Sequence, residues 1–214
     1  MNWFLDMCIL IFYAEAGGQN YKKSVVFVQE KKDNKFIICS YISKENMPKW
    51  IKRQKIILKL AGNKVANMTY DLENSEEYGE LLSQDKIKLK KLLAICASAQ
   101  DKKGYIEKIK KNQDVMLQRI NYFLLKLIDK EVIPVKDINP ELKGTLFTFL
   151  NNHSDAMTLA SGIQYHQTEA IVMMTGDKKD WNKNNVQWVH DSRPDLAKKY
   201  AKIPEIKYIQ DISL

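Results

Sequence analysis

A short apolar run that stops at an acidic turn is the feature that most constrains this 214-residue chain. Residues 171–175 (IVMMT) are apolar or β-branched, and Gly176 and Asp177 follow them directly. Such a run is typical of a strand that is buried on both faces, as in a parallel sheet. Because ligands of open α/β sheets bind outside the carboxyl ends of the strands, Asp177 stands where chemistry is expected. Taken alone, the same residues also fit a solvent-exposed loop with two acids.

The same pattern occurs a second time, near the amino terminus. Residues 3–5 are apolar, Asp6 follows, and the apolar segment then continues to Ala14 (WFLDMCILIFYA). An unpaired carboxylate in so apolar a run is costly to bury, so it requires a hydrogen-bonded cap or a metal ion. Parallel strands end at the same edge of a sheet. If the two strands are neighbours, we therefore expect Asp6 and Asp177 to lie close together.

Predicted strands and helices alternate along the chain, which favours an α/β fold with a central, mostly parallel sheet. The remaining predicted strands are residues 36–42, 132–135 and 206–209. Helices are predicted at residues 9–16, from Ser43 onward, and at 105–130, 141–150 and 154–164. Residues 21–32 fit a helix or a strand, and their flanking lysines favour the helix. Residues 182–185 are predicted as a polar loop, and residues 61–131 as a helical insertion within a single domain that spans residues 1–214.

Charge and cysteine content narrow the class of protein. The net charge is +8 with a pI near 9.2, which suits a polyanionic partner. Lysine runs are also common on solvated surfaces, and only three of the basic residues are arginines. The three cysteines are widely spaced in apolar settings and form no CxxC pair, which indicates reduced thiols in a cytoplasmic protein. The amino-terminal apolar run is too short to span a bilayer and lacks the layout of a signal peptide, so no membrane association is expected.

Four acids recur in one predicted structural setting. Asp6 and Asp177 follow apolar strands, whereas Glu45 and Asp155 lie in the first turns of helices for which Ser43 and Ser154 are the predicted N-caps. Each acid has a local explanation, as a cap or as a favourable charge near a helix N-terminus. A single shared cause is more economical, namely a cluster of oxygen ligands for Mg²⁺ or Mn²⁺. Such clusters activate water for attack on a phosphodiester.

The sequence resembles the PIN-domain family of metal-dependent ribonucleases, which includes toxins of toxin–antitoxin pairs. Four segments carry the resemblance in the order of the family's motifs: LDMCILIFYA, ISKENM, SDAMTLASGI and MTGDKKDW. They fall within residues 1–60 and 132–214. The resemblance implies a three-layer α/β/α sandwich and endonucleolytic cleavage of RNA. It places the metal-binding and catalytic acids at Asp6, Glu45, Asp155 and Asp177, with Asp180 as an additional ligand and Thr175 as a supporting residue.

The resemblance also implies partners, and it leaves one segment unexplained. RNA is the implied substrate, an antitoxin or another regulatory protein is an implied partner, and homodimers are common in the family. Residues 61–131 exceed a minimal PIN domain. Their lysines either line a path to the site or simply face solvent.

Two other functions fit parts of the sequence. Asp6 together with the GDxxD string of residues 176–180 resembles the haloacid-dehalogenase-type phosphatases. That family has a second aspartate two residues after the first, where this chain has Cys8, and the likeness leaves Glu45 and Asp155 unexplained. A PIN-like scaffold that binds RNA or protein without cutting is the non-enzymatic alternative. No histidine has metal-ligand spacing, and Trp181 is interpreted as a core residue or a base-stacking residue.

Overall fold

A five-stranded, all-parallel sheet forms the centre of the protein. The computed structural model describes residues 1–18 and 20–214, and within them the strand order is β3-β2-β1-β4-β5. The strands are β1 (Asn2–Leu5), β2 (Lys35–Cys39), β3 (Ile128–Val132), β4 (Val172–Thr175) and β5 (Glu205–Tyr208). The predicted α/β class with a parallel sheet is therefore confirmed.

Helices connect these strands and make up most of the remaining chain. The α-helices assigned in the described residues are α1 (Met7–Ala14), α2 (Tyr21–Glu30), α3 (Met47–Ala66), α4 (Glu76–Gly79), α5 (Ser83–Ser98), α6 (Lys102–Tyr122), α7 (Pro140–Leu150), α8 (His153–His166), α9 (Lys183–Ser192) and α10 (Pro194–Lys199). Two π-helical turns, Ile42–Asn46 and Phe123–Leu127, precede α3 and follow α6. Short 3-10 turns occupy Val135–Asp137 and Ile209–Asp211. None of the described helices combines the length and apolar character that crossing a membrane requires.

The strand order places a topological switch point between β1 and β4. From β1 the chain builds outward to β2 and β3, and it then returns to the other side of β1 to form β4 and β5. In the β1–β4 pair, Phe4 is opposite Met173 and Leu5 is opposite Met174. The expectation that the strands before Asp6 and Asp177 are neighbours is thus confirmed. The carboxyl edge at a switch point is where open α/β sheets bind ligands.

Helices cover both faces of the sheet. Successive side chains of a strand point to opposite faces, so Trp3 and Phe4 of β1 contact helices on opposite sides of the sheet. Trp3 packs edge-on against Phe27 of α2, with 5.1 Å between the ring centroids. On the Phe4 side, α8 lies so close that a Cβ at Gly162 would be 3.3 Å from Phe4 Cε1. Small residues of α8, namely Ala156, Ala160, Ser161 and Gly162, permit this approach.

The chain divides into two compact units. A sheet unit consists of Met1–Met47 and Arg119–Leu214, and a helical unit consists of Pro48–Gln118. The helical unit has its own apolar core, formed by Ile56, Ile57, Leu60, Ala61, Leu81 and Leu89. An ion pair between Arg53 Nε and Asp85 Oδ2, 2.8 Å apart and largely buried, joins α3 to α5 within this unit.

Several predicted boundaries are wrong, most clearly around β3. The strand predicted at 132–135 lies instead at Ile128–Val132. The helix predicted to reach residue 130 continues past α6 only as a π-helical turn and ends at Leu127. Pairing of β3 with β2 outweighs the helical spacing of the apolar residues at this point. The strand predicted at 36–42 ends at Cys39, and the loop predicted at 182–185 forms the start of α9, with Asn182 as its N-cap.

Both predicted serine N-caps are also wrong. Asn152 caps α8, because its side chain accepts hydrogen bonds from the backbone N–H groups of Ser154 and Asp155. Ser43 lies inside the π-helical turn Ile42–Asn46, which passes directly into α3. Glu45 therefore belongs to this turn and not to the first turn of an α-helix.

Candidate metal centre

Three aspartates meet at the carboxyl edge of the sheet. Among the described residues, Asp155, Asp177 and Asp180 form the group of acids whose ligand atoms all lie within 4.8 Å of one another. Asp155 comes from the first turn of α8, and the other two come from the turn that follows β4. Two separate elements thus deliver carboxylates to one point beside the topological switch.

The turn after β4 is ordered by its own first acid. Asp177 Oδ1 accepts hydrogen bonds from the backbone N–H groups of Lys179, at 2.8 Å, and Asp180, at 2.9 Å. This local bonding fixes the direction in which Asp180 leaves the turn. The residue before Asp177 must be a glycine, because the backbone at Gly176 passes close to α1. A Cβ at Gly176 would lie 2.4 Å from Cε2 of Phe12.

Asp6 is buried beside this cluster and is held by two donors. Its Oδ2 accepts hydrogen bonds from Thr175 Oγ1 at 2.7 Å and from Cys8 Sγ at 2.9 Å. Thr175 Oγ1 in turn accepts the backbone N–H of Asp177 at 3.0 Å, and Gly176 N–H donates to Cys8 Sγ at 3.0 Å. These bonds connect the ends of β1 and β4. Burial raises the pKa of the Asp6 carboxyl, and the negative charge of Asp177 contributes in the same direction.

Asp155 is held at both of its oxygens. The indole Nε1 of Trp181, a fully buried side chain, donates to Asp155 Oδ1 at 2.8 Å. The side-chain amide of Asn152 donates to Oδ2. The same amide lies 3.5 Å from Asp180 Oδ2. Asn152 therefore links α8 to the turn after β4.

The carboxylates of the site repel one another, which affects the pKa of Asp155. Burial raises the pKa of Asp155 to about 7, and the negative charges of Asp6, Asp177 and Asp180 add to this effect. The hydrogen bond from Trp181 acts in the opposite direction. Lys179 Nζ lies 3.9 Å from Asp180 Oδ1, but its side chain is 90% exposed and so neutralises little of this charge.

The donor set fits a hard divalent cation. Carboxylate oxygens are the ligands that Mg²⁺ and Mn²⁺ prefer, and their mutual repulsion is relieved when a cation lies between them. With metal–oxygen bonds of about 2.1 Å, oxygens on opposite sides of one Mg²⁺ are about 4.2 Å apart. The separations within the cluster reach 4.8 Å. Small side-chain movements therefore suffice for coordination.

Glu45 is not a member of this cluster among the described residues. It is half-buried in the π-helical turn that follows β2. The next residue, Asn46, donates a hydrogen bond to Ser154 Oγ, so the turn contacts the start of α8 one residue before Asp155. The role of Glu45 as a ligand remains a prediction.

Three residues that shape the site were not identified from the sequence as part of it. Cys8 lies in the helix after β1, where its spacing of two residues from Asp6 was a usable signal. Asn152 is a preferred N-cap residue type close to Asp155, which was a second signal. Trp181 gave no sequence signal for its contact with Asp155, since the two are 26 positions apart. The three cysteines are free thiols, as expected.

Comparisons with known proteins add no further assignment. No protein-family model, no curated protein and no solved structure matches this chain.

Proposed function

We propose that this protein is a metal-dependent endoribonuclease whose cation binds at Asp155, Asp177 and Asp180. The observation that carries the proposal is the gathering of these carboxylates within 4.8 Å at the switch point of a parallel sheet. Three acids brought so close from two elements repel one another unless a cation binds between them. The PIN-like arrangement of the motifs is part of the same proposal.

The proposed roles follow from the contacts. Asp155, Asp177 and Asp180 bind the cation, and Asp6 adds negative charge beside them from its buried position. Thr175 holds Asp6, and Trp181 and Asn152 hold Asp155. The chemistry that bound Mg²⁺ or Mn²⁺ supplies is activation of water and stabilisation of charge on a phosphodiester. Glu45 is proposed as a further ligand from the neighbouring turn.

The net charge of +8 supports a polyanionic substrate. The choice of RNA among polyanions rests on the resemblance to the PIN-domain ribonucleases. An antitoxin-like or other regulatory protein partner belongs to the same proposal.

The test combines metal binding with RNA cleavage by purified protein. Asp177→Asn keeps the size of the side chain and removes its charge. We expect this variant to lose measurable Mn²⁺ binding in calorimetry and to lose RNA cleavage in Mg²⁺ or Mn²⁺. Asp33→Asn is the matched control, because Asp33 is an exposed residue in the turn before β2. Undiminished cleavage by Asp177→Asn would contradict the assignment of this site.

The same assays separate the alternative functions. Hydrolysis of a generic phosphomonoester that Asp6→Asn abolishes, without cleavage of RNA, would favour a phosphatase. Absence of Mn²⁺ binding by the unmodified protein would favour a scaffold that does not cut.

A further inference from the structure

The positive charge of the chain is concentrated in the helical unit Pro48–Gln118. This unit has 15 lysine and arginine residues and 9 aspartate and glutamate residues, a net charge of +6. The sheet unit has 19 basic and 17 acidic residues, which contribute the remaining +2 of the total of +8. A third of the chain therefore accounts for three quarters of the net charge.

Within the helical unit the charge is concentrated further. Residues 86–111, called the basic segment below, include nine lysines and only two acidic residues. Most of the unit's acids precede this segment, and several of them pair with basic residues of α3. Those ion pairs are Lys52–Glu80, Lys59–Glu77 and Arg53–Asp85. Three acids of the unit thus pair with α3, and the basic segment keeps its excess of positive charge.

The lysines of the basic segment are available to a ligand. In the part of the chain that the structure describes, none of the nine forms an ion pair with an acidic side chain. Lys88 donates to Gln54, and Lys86 lies over the ring of Tyr78. Six of the others are exposed on α5 and α6, namely Lys90, Lys91, Lys103, Lys108, Lys110 and Lys111.

The helices that carry these lysines are held by the core of the same unit. Leu89 of α5 is fully buried in that core, and Leu92, Leu93 and Ile106 pack against it. These contacts anchor α5 and α6, so their lysines project from helices that packing holds in place. A contiguous polyanion suits such a surface, because each phosphate it presents can exchange a bound counterion for a lysine.

We infer that the basic segment is a binding surface for the phosphate backbone of RNA and acts without regard to base sequence. Lysine attracts phosphate as a point charge and lacks the planar, bidentate fork of arginine. The identity of the polyanion as RNA rests on the proposed function. The binding surface itself rests on the charge distribution within the helical unit.

Two charge-matched variants of the full chain test this inference. The first changes Lys90, Lys91, Lys108, Lys110 and Lys111 to Gln. The control changes five exposed lysines of the sheet unit to Gln, namely Lys22, Lys32, Lys126, Lys136 and Lys198. Each set lowers the net charge from +8 to +3. Binding is measured by anisotropy of a labelled single-stranded RNA of mixed sequence, in EDTA, so that metal-dependent cleavage cannot occur.

We expect the first variant to bind RNA at least about tenfold more weakly and with a smaller salt dependence. The slope of log affinity against log salt should decrease by about 0.7 for each phosphate that the protein no longer neutralises. The control should change far less in both respects. Equal weakening of the two variants would overturn the inference, since total charge alone would then explain binding. Circular dichroism of both variants establishes that they remain folded.

Two further outcomes have definite meanings. Loss of binding to phosphatidylserine vesicles in the first variant, with unchanged binding to RNA, would overturn the inference in favour of a lipid surface. A selective loss of RNA binding in the first variant, from a protein that never cleaves RNA in Mn²⁺, would support the surface and contradict the proposed nuclease. Failure of the inference and failure of the proposed function are therefore distinguishable.

Discussion

Thr175 Oγ1 donates a hydrogen bond to Asp6 Oδ2 at 2.7 Å and joins two residues that are 169 positions apart in the chain. Asp6 follows β1, Thr175 ends β4, and both are buried. The same hydroxyl accepts the backbone N–H of Asp177. The Thr175 side chain thus fixes both the Asp6 carboxylate and the start of the turn that carries Asp177 and Asp180.

Thr175→Val should remove these two bonds and keep the β-branched shape. Asp6 would remain buried with one donor fewer, so we expect the free energy of unfolding to fall by about 1–3 kcal/mol. Loss of residues that orient metal ligands typically costs about 10- to 100-fold in affinity or activity, and we expect an effect of this size on Mn²⁺ affinity. Urea unfolding and calorimetry measure the two effects.

Thr148→Val is the control for this substitution. Among the described residues, Thr148 Oγ1 bonds only to the backbone oxygen of Gly144 within α7, and Thr148 is exposed. Metal binding should be unchanged in this variant. If Thr175→Val also left Mn²⁺ affinity unchanged, the hydroxyl would have no part in arranging the site.

Trp181→Phe should weaken metal binding, although an aromatic ring still occupies the buried position of Trp181. The substitution removes the indole N–H that donates to Asp155 Oδ1 at 2.8 Å. We expect Mn²⁺ to bind about 10- to 100-fold more weakly, because Asp155 loses one of the two donors that orient it. Trp188→Phe is a matched control, since Trp188 stacks on Phe149 at a centroid distance of 4.5 Å, a contact that Phe preserves. A similar loss of affinity in both variants would point to general damage to the fold.

The metal-free protein should become less stable as the pH rises towards 7. The pKa of Asp155 is raised from its ordinary value of 3.8 to about 7. Between these values the folded state binds more protons than the unfolded state, and the free energy of unfolding therefore falls with rising pH. The decrease from this group is at most about 1.4 kcal/mol for each pH unit. Asp155→Asn should flatten the dependence, as measured by urea unfolding in EDTA.

Proton release on metal binding is a second measure of the same carboxyl. At pH 6 the unmodified protein should release protons when Mn²⁺ binds, because a ligand must be deprotonated. Calorimetry in two buffers with different ionisation enthalpies reports the number of protons released.

The stability prediction has its own contradicting outcome. If the free energy of unfolding of the metal-free protein depended on pH identically in Asp155→Asn and in the unmodified protein, groups other than Asp155 would cause that dependence.

Two helix glycines should respond in opposite directions to a larger side chain. A Cβ at Gly144 meets nothing within 4 Å, so Gly144→Ala should raise the free energy of unfolding by about 0.5–1 kcal/mol. A Cβ at Gly162 would lie 2.4 Å from Met173 Cε and 3.3 Å from Phe4 Cε1. Gly162→Leu should therefore lower the free energy of unfolding by about 1–3 kcal/mol. Thermal unfolding of both variants checks this contrast, and stabilisation by Gly162→Leu would show that α8 does not pack this closely.

The interior strands of the sheet could be predicted from sequence. β1, β2 and β4 lie in the interior of the sheet and have nearly continuous apolar sequences, which makes them recognisable. β3 is an edge strand with three exposed residues in succession, and its sequence IDKEV carries no such pattern. The prediction therefore continued a helix through Ile128, where pairing with β2 decides the conformation.

Part of the candidate site could be predicted because two of its acids follow recognisable apolar strands. Asp6 and Asp177 are adjacent in space because they end adjacent buried strands, and a strand-end pattern is visible in the sequence. The contact of Trp181 with Asp155 depends on how the turn after β4 meets α8, which no local pattern encodes. The position of Glu45 depends on a π-helical turn that no sequence pattern predicts.

The position of β1 between β2 and β4 has a consequence for synthesis of the protein. Because β1 precedes β4 by more than 160 positions, its second edge stays unpaired until β4 has been made, and Asp6 meets Thr175 only then. Until β4 and the turn after it have been made, Asp155 has neither Asp177 nor Asp180 beside it. The cluster of three carboxylates can therefore assemble only after Asp180 has been synthesised.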